Sequence, residues 1–228
     1  MPQQQSLIKG LALLSLSALL FATMGVLIRL ASHSVDNATV VFMRNLTGTI
    51  LLAPFVLAQG KGFLITTKPW MHIWRALVGL AAMYGFFYAI AHLPLSNAMV
   101  FTYSSPVFIP LVAWLFLKEK ITPMIMIAAL IGLIGVGLVA KPDAEMFNWL
   151  SLVGISSSFL AAMAFVTVRA LTKTEPATRI VFYFCLIATL VSAIPMFWHW
   201  RVLTLQELYY LVGAGTLATI SQVSLSKA

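Results

Sequence analysis

Charge is scarce in this chain. Charged residues fill 9% of its 228 positions, and only six residues are acidic. A soluble domain carries roughly 25% charge, so a water-facing surface cannot be assembled from this composition. Cysteine is nearly absent. Cys185 is the only one, inside an apolar run, which excludes an internal disulfide and a cysteine-based metal site and leaves a packed apolar thiol. Acids are missing from the middle of every apolar run: Asp36, Glu119, Asp143, Glu145, Glu175 and Glu207 all sit at run ends or in connections. The intramembrane carboxylate of a proton relay is therefore lacking, which favours a facilitator or exchanger over a proton symporter. Catalytic patterns are lacking too. The histidines His33, His72, His92 and His199 lie far apart, and neither His-Glu-x-x-His nor an acid pair occurs inside a run. A membrane enzyme would need such a set, so neither an enzyme nor a cofactor is expected.

What is present is apolar length. Hydrophobic residues make up 61% of the chain, against about 45–50% in soluble domains. The net charge of +8 does not indicate nucleic acid, because the basic residues are scattered singly or in pairs and form no patch that could follow a phosphate backbone. They read as charge on loops that sets orientation. The start, Met1 to Gly10 followed by Leu11–Leu30, has too long an apolar part for a cleavable signal and reads as a retained first helix. Eight apolar spans follow one another: Leu7–Ala31, Ala38–Ala58, Trp70–His92, Ser96–Leu117, Pro123–Ala140, Leu150–Leu171, Arg179–Phe197 and Leu208–Lys227. The expected fold class is an all-α polytopic membrane protein in the lipid bilayer. Placing the N-terminus in the cytoplasm puts ten of the fourteen Lys and Arg residues on the cytoplasmic side, which supports that orientation.

The stretch Leu93–Thr122 organises the reading. It holds Pro106 and Pro110 inside a membrane-length run. Each proline lacks an N–H, which frees the carbonyls of Thr102 and Pro106, and in hydrocarbon those groups need protein or water. A bent helix lining a path is expected. Tyr103 and Trp114 share a stripe of this segment, as Tyr84 and Tyr88, one turn apart, share a face of the third span. Tyrosine offers a flat apolar face and a hydroxyl to an amphipathic metabolite, and it is equally at home at membrane interfaces. Ser104 and Ser105 can bond carbonyls of the preceding turn or a substrate. Arg44 lies several residues into the second span, and a charge there usually faces a cavity or a partner. It either meets a substrate carboxylate or phosphate, or snorkels. Gly132, Gly135 and Gly137, like Ala18, Ala22 and Gly25, are read as close-packing faces between helices.

An internal repeat is visible. The run from Ser17 matches the run from Ser158, with Arg29 and Arg169 near the far ends. The run from Val40 matches that from Ile180, with Pro54 and Pro195 near the ends, and the run from Ala76 matches that from Tyr210. Five spans per copy make the copies antiparallel, the plan of an inverted-repeat carrier. Residues 1–141 form a first five-helix repeat. Residues 142–228 form a second copy that stops after its third helix, so two outcomes stay open: a working carrier, or a truncated fragment or assembly subunit. A homodimer also stays open.

These features resemble the EamA-type members of the drug/metabolite transporter superfamily. The resemblance rests on Ala18, Ala22 and Gly25 and on Phe42-Met43-Arg44-Asn45. It continues through Arg75-Ala76, Tyr88-Ala89, Leu93-Pro94-Leu95, Ala98 and Tyr103-Ser104-Ser105-Pro106, then Phe116–Thr122 and the glycines of Gly132–Gly137. It implies ten helices in two inverted repeats around a cavity and passage of a small metabolite across the bacterial inner membrane. This sequence departs by having eight spans. Within the family, Arg75…Tyr88 and Tyr103–Pro106 are most similar to carriers of intracellular bacteria that import S-adenosylmethionine. The substrate contacts expected are Arg44, Tyr84, Tyr88, Tyr103, Ser104 and Trp114, with Pro106 and Pro110 bending the helix.

Overall fold

The computed structural model describes residues 2–118, 122–140 and 149–227. Eight α-helices make up the described fold, with no strand among the described residues: α1 (Pro2–Ala31), α2 (Asn37–Ala58), α3 (Pro69–His92), α4 (Leu95–Leu117), α5 (Pro123–Ala140), α6 (Trp149–Leu171), α7 (Ala177–Trp198) and α8 (Leu205–Lys227). A 3-10 turn, Lys61–Leu64, stands between α2 and α3. Seven helices are long and apolar enough to cross a membrane, and α5 contributes a shorter apolar stretch, Pro123–Gly135. Length explains the match. The 22 residues of α2 extend about 33 Å at 1.5 Å per residue, close to the ~30 Å hydrocarbon core. Leu19, Phe55, Leu152 and Leu190 are exposed on helix surfaces, which suits lipid and not water.

Local chemistry sets several helix ends. Asp36 caps α2, its Oδ1 accepting from the backbone N–H of Ala38 at 2.9 Å and of Thr39 at 3.3 Å. Such a cap contributes about 1 kcal/mol. Helix α8 begins at Leu205, three residues before the expected edge, because Thr204 and Glu207 form a capping box. Thr204 N–H donates to Glu207 Oε2 at 2.9 Å, and Glu207 N–H donates to Thr204 Oγ1 at 3.3 Å. This reciprocal pattern satisfies two otherwise orphaned donors. Helix α4 runs on through Pro106 and Pro110 and stops at Lys118, whose φ of 55° is left-handed.

The chain divides into two compact units: Met1–Ile73 with Leu171–Ala228, and Trp74–Ala170. In the first, α1 lies along α8, and α2 packs on α7 and α8. Within lipid, helices associate through close packing and hydrogen bonds and not through apolar burial. Both devices are used here. Ser17 and Ser221 bridge α1 and α8: Ser17 Oγ donates to Ser221 O at 3.0 Å and Ser221 Oγ to Ser17 O at 2.9 Å. Close approach depends on glycine. A Cβ on Gly48 of α2 would sit 2.7 Å from Cys185 Sγ and Thr219 Oγ1, and one on Gly215 of α8 would sit 2.6 Å from Thr47 Cβ and 3.0 Å from the Arg44 carbonyl oxygen.

In the second unit, α4 pairs with α5, and Val112 and Ala113 of α4 pack with Ala162 and Val166 of α6. Gly154 lies against the Phe101 ring, and Ser158 Oγ donates to the Phe101 carbonyl. Ser157 Oγ reaches the Ala82 carbonyl of α3 at 2.7 Å. One expectation is corrected here. A Cβ on Gly132 or Gly135 would meet nothing within 4 Å, so among the described residues these two α5 glycines make no close helix contact, and the surroundings of Gly137 lie outside the described residues. Among the described residues the closest approaches are at Gly48, Gly154 and Gly215, with Gly85 and Gly213 next at 3.1 Å from a neighbouring side chain.

The turns of the first unit repeat at a displacement of 140 residues. After α1, the Ser34 and Val35 N–H groups bond the Ala31 carbonyl, and Val40 N–H bonds that of Asp36. After α6, Thr174 and Glu175 bond Leu171, and Ile180 bonds Pro176. After α2, Gln59 bonds Val56, and after α7, His199 bonds Met196. Thr49 of α2 and Thr189 of α7, 140 apart, share a hydrogen bond of 3.2 Å.

Candidate functional site

Arg44 projects from α2 into the interior of the first unit, where it is 2% exposed. Its Nη1 donates to Asn45 Oδ1 at 2.9 Å. Asn45 is itself held by its Nδ2, which donates to the Val41 carbonyl at 2.8 Å. The guanidinium carbon lies 5.5 Å from the centroid of the Phe184 ring on α7, within cation–π range, and the Cys185 side chain also interacts with it. Nε is buried and has no partner. The ion pairs seen among the described residues, Arg179–Glu175 and Arg201–Glu207, involve other arginines. Arg44 therefore does not snorkel. It is a buried cation with an open donor, a state that costs free energy until an acceptor arrives.

Two polar ties close the ends of the same unit. At the Ser34 end, Glu207 Oε1 accepts from Ser34 Oγ and from Arg201 Nη2, each at 2.6 Å. Arg201 Nη2 also donates to the Ser34 carbonyl at 2.7 Å. At the Thr66 end, Glu175 accepts from Thr66 Oγ1 at 2.7 Å and from Arg179 Nη1 at 2.5 Å. The Arg179 guanidinium lies 4.9 Å from the Phe63 ring centroid. Tyr183 Oη donates to the Leu64 carbonyl, and its ring is 4.6 Å from that of His72. Burial by itself would raise the Glu175 carboxyl. The hydrogen bonds from Thr66 and Arg179, with the charges of Arg179 and His72, outweigh burial and hold it below the usual carboxylate range. Both glutamates were expected at run ends. Their burial, 5% and 7% exposed, was not. The Glu175–Arg179 spacing of four and the Thr204-x-x-Glu207 pattern are the signals that could have found them.

The remaining expected contacts lie in the second unit. Tyr84 and Tyr88 are half-buried on α3. The Tyr88 ring stacks on His92 at 4.1 Å and approaches Trp149 of α6 at 6.0 Å. Beside Trp149 a groove of about 380 Å³ runs between α3 and α6, lined by Ala81, Gly85, Leu152, Val153, Ser156 and Ser157 among others. Trp149 was not singled out from the sequence, where nothing ties it to Tyr88 across the intervening segment. Ser104 Oγ donates to the Phe101 carbonyl at 2.6 Å, bonding back within its own helix. Trp114 is exposed on α4, Pro106 is exposed and Pro110 buried. The side chain of Tyr103 lies outside the described residues, as does Glu119.

Seven membrane-length helices, glycine-mediated crossings and a buried arginine define a polytopic membrane protein. Similarity to known proteins narrows this. Residues 8–141 match the EamA-like transporter family. The chain is 33% identical over 224 residues to the pseudopaline exporter of Pseudomonas aeruginosa, covering 96% of this chain and 78% of the exporter. It is 30% identical over 196 residues to the S-adenosylmethionine uptake transporter of Rickettsia bellii, covering 86% of this chain and 66% of that protein. A solved crystal structure superposes with a TM-score of 0.74 at 20% identity, covering 98% of this chain and 78% of that chain, which shows a shared fold. The chain belongs to the EamA-like transporter family, within the drug/metabolite transporter superfamily. It is a multi-pass membrane transporter of a small metabolite and not an enzyme.

Proposed function

We propose that this transporter carries a zwitterionic or anionic metabolite across the bacterial inner membrane by alternating access, with its N-terminus in the cytoplasm. The observation that carries the substrate class is Arg44: a buried guanidinium whose Nε lacks a partner and whose neighbours are the Asn45 amide, the Phe184 ring and the Cys185 side chain. A substrate carboxylate satisfies both the donor and the charge. S-adenosylmethionine, with an amino-acid carboxylate and a planar base, is one such substrate. Separately, the second unit's Tyr84, Tyr88, Tyr103, Ser104 and Trp114 are proposed as contacts that offer flat faces and hydroxyls to a metabolite. Pro106 and Pro110 let α4 bend.

The repeat reading, 1–141 and 142–228, is supported by the turn hydrogen bonds that recur 140 residues apart and by Thr49 bonding Thr189. A residue that bonds its own counterpart lies on the axis relating two copies. The scarcity of basic residues on one side supports the orientation.

The test is counterflow into liposomes of labelled S-adenosylmethionine, nucleotides and amino acids. Arg44→Ala is expected to weaken affinity for a carboxylate-bearing substrate more than Arg44→Lys does. Unaltered affinity in both removes Arg44 from the site.

A further inference from the structure

We propose that the two glutamate ties are paired latches, one at each end of the first unit, and that opening one of them exposes Arg44 to one side of the membrane only. The proposal rests on Arg44 as a substrate contact and adds the means by which access to it alternates.

Three observations carry it. First, the ties stand at opposite ends of α2. Ser34 precedes that helix and Thr66 follows it, with about 33 Å of helix between. Second, they join equivalent parts. One ties the α1–α2 turn to the α7–α8 connection. The other ties the α6–α7 turn to the α2–α3 connection. The α1–α2 and α6–α7 turns carry the same backbone hydrogen bonds 140 residues apart, and so do the starts of the other two connections. In an inverted repeat, a contact on one face and its counterpart on the other are exchanged between the two access states. Third, each tie has the same inventory: one buried glutamate, one arginine and one loop hydroxyl. These bonds link connections and helix ends, so either tie can part without breaking a helix.

The ties differ in where the acid sits. Glu207 leads α8 and reaches back to Ser34, whereas Glu175 sits on the α6–α7 turn and reaches Thr66. The Glu207 tie faces Arg201 with Ser34 and Thr204. The Glu175 tie faces Arg179, Thr66 and His72, with Tyr183 against His72. The chemistry at the two ends is thus independent, and one end can be weakened without touching the other. Both ties are made here and Arg44 is buried, so the first unit is seen closed at both ends.

The experiment places a thiol at the centre and weakens one latch at a time. In a Cys185→Ser background, Arg44→Cys is labelled in sealed, orientation-sorted vesicles with a membrane-impermeant methanethiosulfonate. Adding Glu207→Gln is expected to speed labelling about tenfold from the Ser34 side alone. Adding Glu175→Gln should speed it from the Thr66 side alone. Acceleration from both sides, or from neither, overturns the latches. A second arm keeps Arg44. Ser34→Cys with Glu207→Cys, or Thr66→Cys with Glu175→Cys, is bridged by a short bis-methanethiosulfonate. Counterflow of S-adenosylmethionine should stop and return on reduction, whereas counterflow that persists through the bridge means static clamps. A chain without counterflow before bridging refutes the carrier reading, and the labelling arm still decides the latches.

Discussion

Replacing Gly215 by alanine isolates the closeness of α2 and α8. The added Cβ would lie 2.6 Å from Thr47 Cβ and 3.0 Å from the Arg44 carbonyl oxygen. Carbon–carbon contact is comfortable at about 3.5–4.0 Å, so the helices must separate by roughly 1 Å. The nearest obstacles are a Cβ and a backbone oxygen, neither of which can swing aside. Overpacking of this kind costs about 1–3 kcal/mol. Alanine's better helix propensity returns at most about 1 kcal/mol, so a net loss of roughly 1–2 kcal/mol is expected. Gly132→Ala is the control. Its Cβ meets nothing within 4 Å, which leaves the propensity gain alone, about 0.5–1 kcal/mol. Thermal unfolding in detergent, followed by tryptophan fluorescence, reads both. At roughly 2–4 °C per kcal/mol for a chain of this size, Gly215→Ala should melt about 2–8 °C below the parent and Gly132→Ala at or slightly above it. Equal melting of Gly215→Ala and the parent, or equal losses in both variants, would refute the glycine-mediated crossing.

Other outcomes follow from the helix ends and the ties. Asp36→Ala removes the two hydrogen bonds that cap α2 and should destabilise by about 1 kcal/mol, while Asp36→Ser recovers most of it; the same melting assay checks both. Glu175 has a lowered pKa in the folded chain, so its contribution is complete above the unfolded carboxylate value near 4.3. It is lost as pH falls through the lower folded value. The parent should therefore lose stability below about pH 4, and Glu175→Gln should lose less over the same range. Identical acid profiles for the two would mean that Glu175 does not titrate with unfolding. Removing the partner charge is harsher than removing the pair. Glu175→Ala should cost about 3 kcal/mol because Arg179 is left uncompensated, whereas Glu175→Ala with Arg179→Ala should cost less.

How much of this was legible in the sequence depended on which constraint spoke. Helix positions were, because a hydrocarbon slab dictates both length and composition, and Leu117, Ala140 and Leu171 end α4, α5 and α6 where the apolar runs end. The shift of the α8 start from Leu208 to Leu205 has a local cause, the Thr204–Glu207 box, that was there to be read. The glycines were not separable. Gly132 and Gly215 look alike in sequence, and only the helix face that meets a neighbour tells the open one from the crowded one. Arg44 was visible as a charge inside a span, but its depth was not, since that depends on Phe184 and Asn45 closing around it. Tyr88 and Trp114 were each expected as substrate contacts on separate helix faces, and nothing in the sequence named a neighbour for Tyr88. The Tyr88 ring lies near that of Trp149, a contact set by α3 and α6 lying side by side.

The central claim is that this chain moves a carboxylate-bearing metabolite through a path that meets Arg44. It is tested most directly by counterflow of labelled S-adenosylmethionine into liposomes holding the purified chain, with Arg44→Lys and Arg44→Ala alongside. The account predicts uptake above empty vesicles for the parent, partial uptake for Arg44→Lys and a clear loss for Arg44→Ala. Uptake that is the same in all three, or no uptake of any carboxylate-bearing metabolite by the parent while a longer relative is active in the same assay, would contradict it.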